Sequence, residues 1–410
     1  LGSIPKSTEG SITTQKKYDV VVIGAGPVGA ALALSLSGKG LRVAIVEKRS
    51  RHDLLADRGD IRAYALSHAT IEYLKGLNVW GALEPLSEPI QKIGITSGES
   101  LKEVVFKPPA AHAAMGAIIP AYRVRHAFLS KVIEDSVIDL YDDVSISNLD
   151  NPLERYAKVS LSSGKRLDTL MVVGADGRTS VVRNLAGLKP INHDYNQKAL
   201  ITVVDHTENH QGIAYEKFYA SGPFATLPMP HTQSGIVWIG DSAEIDTICS
   251  LEENLFKALL QDRYDSVGKI TNVSKRITYP LQLTFLSQLY HNRVVVIGDA
   301  AHAIHPLAGQ SLNLGFRDVM MLSEEIISAH QVGIDIGQGT VLKQYQKSRR
   351  FDTLELISTT HGLNSLFSNS NPLLKPIRNL GLFAFAKVPG AAAYATRHAM
   401  GLSGYQTPQI

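Results

Sequence analysis

One stretch near the start limits the folds open to this chain more than any other. Tyr18-Asp19-Val20-Val21-Val22-Ile23 is a β-branched run of strand length that leads directly into Gly24-Ala25-Gly26-Pro27-Val28-Gly29. Continuous apolar character is what a strand needs when helices cover both faces of a parallel sheet. Gly24 permits the tight turn, Gly26 lets a pyrophosphate approach the backbone, and Gly29 lets a helix from Ala30 to Leu36 pack against the strand. A second strand, Arg42 to Val46, ends in Glu47, 23 residues after Gly24, where a ribose-binding carboxylate belongs. The pattern predicts a bound dinucleotide; the competing reading is a glycine-rich turn in an unliganded α/β unit. A carboxylate that accepts from an adenosine 2′-OH disfavours a 2′-phosphate, which leaves FAD or NAD for this site.

Two later segments repeat the logic. Leu170-Met171-Val172-Val173-Gly174 leads into Ala175-Asp176-Gly177-Arg178-Thr179-Ser180, and Arg293-Val294-Val295-Val296-Ile297 leads into Gly298-Asp299-Ala300-Ala301-His302. Each is a buried-strand candidate that delivers an aspartate to the carboxyl end of a sheet, where ligands of open α/β folds bind. The third continues through a Gly/Pro-interrupted loop, His305 to Gly315, before a helix expected over Phe316 to Ala329. Asp176 and Asp299 are therefore candidate acceptors for ribose or ribityl hydroxyls.

Composition narrows the alternatives. The 410 residues are 44% hydrophobic and 19% charged with a formal charge of +3, which excludes a disordered chain and a strongly basic nucleic-acid binder. That length predicts two or three domains. A single cysteine, Cys249, rules out an intrachain disulfide framework. The longest apolar stretch, Val20 to Leu36, contains Gly24 to Pro27 and reads as strand, turn and helix, not as a membrane span. Residues 1–17 lack the apolar core of a secretion signal and are expected to be a flexible leader. No repeat of 20 to 50 residues is present.

Taken in order, GAGPVG, GADGRTSVVR and IGDAAHAIHPLAGQSLNLG resemble the single-component flavin monooxygenases of the p-hydroxybenzoate hydroxylase fold. Within that fold the chain is most similar to the ubiquinone-biosynthesis hydroxylases, from about Tyr18 onward, including Asp60-Ile61-Arg62-Ala63-Tyr64-Ala65-Leu66-Ser67 and Ala399-Met400-Gly401-Leu402-Ser403-Gly404. The resemblance implies an α/β fold: a Rossmann-like FAD domain of the glutathione-reductase type, an interleaved antiparallel substrate sheet and a helical C-terminal tail. It implies that Gly24, Gly26, Pro27, Gly29 and Glu47 hold the ADP half of FAD, and that Arg62 and Arg123 reach its phosphate and ribityl region. Asp176 and Gly177 would lie near the pyrophosphate, Gly298 and Asp299 at the ribityl chain, and Pro306, Gly309, Gln310, Ser311, Leu312 and Asn313 around the flavin. Before Arg123, Ile118 to Tyr122 departs from the polar pattern usual in these enzymes, which leaves the arginine register open by a residue or two.

The implied chemistry is reduction of FAD by NADH or NADPH, addition of O2 to give a C4a-hydroperoxide, and transfer of OH to a polyprenylated phenol. The flavin carries the hard steps, so no side-chain nucleophile is required and none is evident. His302 and His305 have metal-ligand spacing but no partner set, so no metal is expected and they read as loop histidines that shape the flavin site. Ser311 stands where the family usually has glycine; it is tolerated, adds a donor, or obstructs close backbone approach.

The expected division is 18–75, 115–188 and 290–345 for FAD, 76–114 and 189–289 for the substrate sheet, and 346–410 for a helical region. Strand candidates Ala199 to Val204, Ile213 to Tyr219, Phe224 to Leu227 and Gly235 to Ile239 predict antiparallel sheet. Tyr215, Phe218, Phe224, Met229 and Trp238 are either pocket lining or core. From His361 to Ile410 the chain has Lys375, Arg378, Lys387 and Arg397, no acid, and interleaved Leu373, Leu374, Ile377, Leu380, Leu382, Phe383 and Phe385. Such a tail fits an anionic membrane surface, so the expected location is cytoplasmic and peripheral at the inner face; the alternative is a helix packed on the protein. Two competing functions remain at this point: hydroxylation of a small soluble aromatic, and a non-catalytic FAD-binding subunit of a biosynthetic assembly.

Overall fold

The computed structural model describes residues 16–97, 103–150, 154–264, 267–304, 309–367 and 390–402. The β-branched runs pair as five parallel strands in the order Val294–Val296, Arg166–Gly174, Lys16–Ile23, Val43–Val46 and Ile138–Tyr141. The first strand takes in Lys16 and Lys17, which the sequence reading assigned to the leader. Val20, Val21, Val22, Val172, Val173 and Val294 to Val296 are fully buried, so this sheet is covered on both faces. Helices Pro27–Leu36, Ala121–Glu134 and Ser311–Gln331 pack against one another, and Phe128 stacks on Phe316 at 5.6 Å between centroids.

A nine-stranded sheet forms the roof. Its main path runs His302–Ala303, Ile277–Phe285, Ile191–His206, Gln233–Asp241, Gly222–Met229, Ile213–Tyr219, Lys92–Ser97 and Glu103–Phe106. Every pair is antiparallel except Ile213–Tyr219 with Lys92–Ser97. Of the expected strands, Ile213–Tyr219 has the predicted bounds and the other three are longer: Ile191–His206 runs 16 residues through an irregularity between Asp194 and Gln197. One face lies under helices Ser242–Ser250 and Glu253–Arg263, where Leu200, Phe224, Ile236 and Trp238 join Ile245, Phe256 and Leu260 in one cluster. The inner face looks toward a small three-stranded sheet, Ala63–Ser67, Gly116–Pro120 and Glu88–Pro89, and helix Ala391–Ala399. Among the described residues no helix is long and apolar enough to cross a membrane.

Candidate active site

Gly24 adopts φ +108°, and a β-carbon there would lie 2.5 Å from the Ala175 carbonyl oxygen, so the first glycine loop sits flush on the loop after Arg166–Gly174. Gly29 is just as constrained, since a β-carbon would collide with the Gly24 carbonyl. The helix that follows, Pro27–Leu36, starts three residues earlier than the sequence reading placed it, with Gly26 as N-cap, proline in its first turn and no side-chain cap. A side chain on Gly26 would meet nothing within 4 Å. Uncapped N–H groups facing open space are what an approaching pyrophosphate requires. Glu47 stands beside them: its Oε2 accepts from the Ala25 N–H at 2.9 Å and its Oε1 from the Arg49 N–H at 3.0 Å. Each oxygen keeps a lone pair, so the oriented carboxylate still has capacity for a ribose hydroxyl.

The second loop differs from the sequence reading. Asp176 accepts from the Ser180 hydroxyl at 2.5 Å and from the Val181 and Val182 N–H groups at 2.6 and 3.2 Å, which makes it a cap for helix Val181–Leu185. Gly177, at φ +80°, turns the chain between them with open space around its α-carbon.

In the third loop, the helix begins at Ser311, not Phe316, so Ser311, Leu312 and Asn313 occupy its first turn. Gln310 is the N-cap, its side chain capping no N–H of the helix, and Gly309 turns at φ +61° against Ala65. Ser311 does add a donor: its hydroxyl bonds Asp299 Oδ1 at 2.8 Å, while Arg178 approaches Asp299 Oδ2 at 3.5 Å. Asn313 is buried and used structurally, donating to the Ala65 carbonyl at 2.8 Å and accepting from the Ser67 N–H and the Thr70 hydroxyl at 3.0 and 2.9 Å. Leu312 packs on the main core. Pro306 and His305 lie outside the described residues.

The sequence reading missed Asp318, fully buried behind this loop. Its Oδ2 accepts from the Gly298 N–H at 2.8 Å and His302 Nε2 at 2.6 Å; its Oδ1 accepts from Arg349 Nε at 2.7 Å. Arg349 then reaches Asp352, which also pairs with Arg317. Burial pushes the Asp318 carboxyl up, but His302 and Arg349 outweigh it and hold the group well below the usual carboxylate range. His302 is therefore an interior partner of Asp318, not a loop residue lining the flavin. A lone acid in the apolar run Leu314 to Leu322 was the sequence signal available.

Arg62 forms a paired contact with Asp60, at 2.8 and 2.7 Å, and lies 5.8 and 5.7 Å from the Tyr64 and Tyr279 rings. Burial raises the Tyr64 hydroxyl, with Arg62 opposing and Asp60 and Asp299 adding to the rise, so Arg62, Tyr64 and Asp299 share one electrostatic neighbourhood. Arg123 does not join it: its guanidinium lies over Tyr122 at 4.9 Å. Arg125, two residues on, instead donates to the Asp57 carbonyl at 2.6 Å and approaches Asp60. Of the roof aromatics, Phe224 and Trp238 make an edge contact at 5.6 Å beneath the helices and are core.

A family model described as FAD binding domain matches residues 17–354. Ubiquinone hydroxylase UbiL of Rhodospirillum rubrum is 34% identical, with 97% of this chain and 93% of that protein covered. The 3-demethoxyubiquinol 3-hydroxylase of Escherichia coli is 29% identical over 95% of this chain and all of that one. This chain belongs to the ubiquinone-biosynthesis FAD-dependent hydroxylase family. The fold matches p-nitrophenol 4-monooxygenase PnpA of Pseudomonas putida with a TM-score of 0.78, at 19% identity, over 96% of this chain and all of that one. The protein is thus an FAD-dependent monooxygenase, and the open glycine loop, the uncapped helix and the oriented Glu47 carboxylate fit that cofactor.

Proposed function

We propose that this enzyme hydroxylates the ring of a polyprenylated phenol in ubiquinone biosynthesis, with NADH or NADPH as reductant and O2 as oxidant. The observation that carries this reading is similarity to a ubiquinone hydroxylase over 97% of the chain, which takes in the roof as well as the FAD-binding strands. FAD supplies the redox chemistry with NAD(P)H and O2. Gly24, Gly26, Pro27 and Gly29 give its pyrophosphate a backbone cradle, and Glu47 accepts from the adenosine ribose. Asp299, oriented by Ser311, accepts from the ribityl hydroxyls, and the uncapped first turn from Gln310 to Asn313 donates to the flavin pyrimidine edge, favouring negative charge there. Gly177, Gly298 and Gly309 turn the chain beside these groups, and Arg62 adds positive charge in the neighbourhood of Tyr64 and Asp299.

In this reading, segments 18–75, 115–188 and 290–345 hold FAD, while 76–114 and 189–289 exclude water from the substrate. The basic apolar tail, most of it outside the described residues, brings the body to an anionic membrane surface where the lipid substrate resides. Mass spectrometry of quinone intermediates in a strain lacking the gene tests the assignment. An accumulating prenylated precursor short of one ring hydroxyl is expected. Normal ubiquinone with no such intermediate overturns the pathway.

A further inference from the structure

The alternation of the roof strands sorts their side chains. Ile236, Trp238 and Leu200 point to the helix-covered face, so their neighbours in sequence point inward. One inward row crosses five strands in register: Glu216 opposite Ala225, Ala225 opposite Val237, Val237 opposite Ile201, and Ile201 opposite Ile277. On the other side Glu216 aligns with Ile95. The rows flanking this one are packed: Val203, Leu227 and Ala214 against Ala63, Ala65 and Met400, and Ala199 with Ile239 and Leu281. In this row Glu216, Val237, Ile201 and Ile277 keep partial exposure, as Val203 and Leu227 beside it do, so the inner face is partly open here. The row is the floor of a trough.

This trough faces the cofactor side. Tyr279, next but one to Ile277 on the same face, carries the Arg62 guanidinium against its ring, and Tyr64 beyond it feels Asp299. The apolar trough floor contains one ionisable group, Glu216, and among the described residues no hydrogen bond or ion pair engages it. Burial alone pushes its carboxyl up to about 8. A partly exposed carboxyl without a partner, set among apolar side chains, keeps its full capacity to bond a ligand group that enters beside it. Ala225 between them offers only a methyl, so the Glu216 and Val237 side chains rise from the sheet two strand spacings, roughly 9.5 Å, apart. That width suits one substituted aromatic ring.

We propose that Glu216 hydrogen-bonds the ring hydroxyl of the substrate and fixes which carbon of that ring faces the flavin. This rests on the reading that the substrate is a prenylated phenol. A site built around one polar contact discriminates strongly against a molecule that cannot complete it.

The test uses the oxidised holoenzyme titrated with 2-prenylphenol and with its methyl ether, followed by perturbation of the flavin absorbance. Wild type is expected to prefer the phenol tenfold or more. Glu216→Leu is expected to bring the two dissociation constants within twofold of each other, by weakening the phenol and not the ether. Glu216→Gln, which can still donate and accept, is expected to restore most of the preference. Glu216→Met, closer in length to the native side chain, replaces the leucine variant if that one loses FAD. A preference that survives in the leucine or methionine variant at full FAD content overturns the proposal, as does a wild type without preference. A wild type that takes neither compound overturns the prenylated-phenol reading and this role with it.

Discussion

The two large sheets differ in what covers them. The parallel sheet is closed on both faces, and its strands are uniform apolar runs with side chains almost wholly shielded. In the roof, Gly235-Ile236-Val237-Trp238-Ile239 is just as apolar, yet its residues divide: Ile236 and Trp238 pack under the helices and Ile239 in a small inner cluster, while Val237 keeps partial exposure on the inner face. An apolar run therefore does not report that every position on both sides is packed. Sequence alone cannot separate a strand holding two cores from one holding a core and a substrate surface.

If the parallel body holds the cofactor and the outer roof only packs, mutations should separate by readout. Asp318→Ala leaves Arg349 and His302 buried without their anion, at a cost of about 3–5 kcal/mol. The urea midpoint should fall accordingly, and FAD should bind more weakly because the Gly298 N–H loses its acceptor. A pH series adds a check. A carboxyl lowered by folding contributes stability that is present above its unfolded value, near 4, and lost as the pH falls toward its folded value. The variant should lack that acid-limb loss.

Leu200→Ala opens a cavity beneath the roof helices and should cost roughly 3 kcal/mol while leaving FAD affinity within about twofold. A large loss of FAD there would break the separation of the two regions. Ser311→Gly removes the hydrogen bond to Asp299, about 1 kcal/mol, so FAD titration of the apoprotein should give about a fivefold weaker Kd. An unchanged Kd would mean that Arg178 suffices to orient Asp299. Smallest of all, Lys198→Ala breaks a pair with the half-exposed Asp246 and should shift stability by no more than about 0.5 kcal/mol, fading further with salt.

How much was legible follows from the same contrast. Gly24, Gly26, Gly29 and Glu47 are readable because backbone geometry demands those residue types at those spacings, and the structure brings Glu47 to the glycine loop. The Gly-Asp-Gly pattern made Asp176 visible at the sheet's carboxyl end, but nothing in it announced the Ser180 and Val181 contacts by which Asp176 also caps the next helix. The arginine register, open by a residue or two in the sequence, depends on a helix turn that lays Arg123 over Tyr122 and brings Arg125 toward Asp60. Ser242–Ser250 and Glu253–Arg263 were not read as helices, although Ile245 with Ile248 and Phe256 with Leu260 stand at helical spacing. Glu216 carries no signal of its own in the sequence; only strand register puts it on the inner face.

Met400 carries a last consequence. Fully buried, it packs with Ile118, Met115 and Ala214, and its carbonyl accepts from the Ala69 N–H at 3.0 Å. A chain made from its amino end therefore exposes the apolar inner surface until residue 400 has been synthesised. The glycine loop and its strands can assemble much earlier, so nascent chains pass through a stage with the cofactor cradle formed and the substrate side raw. That stage is where aggregation and chaperone capture should concentrate.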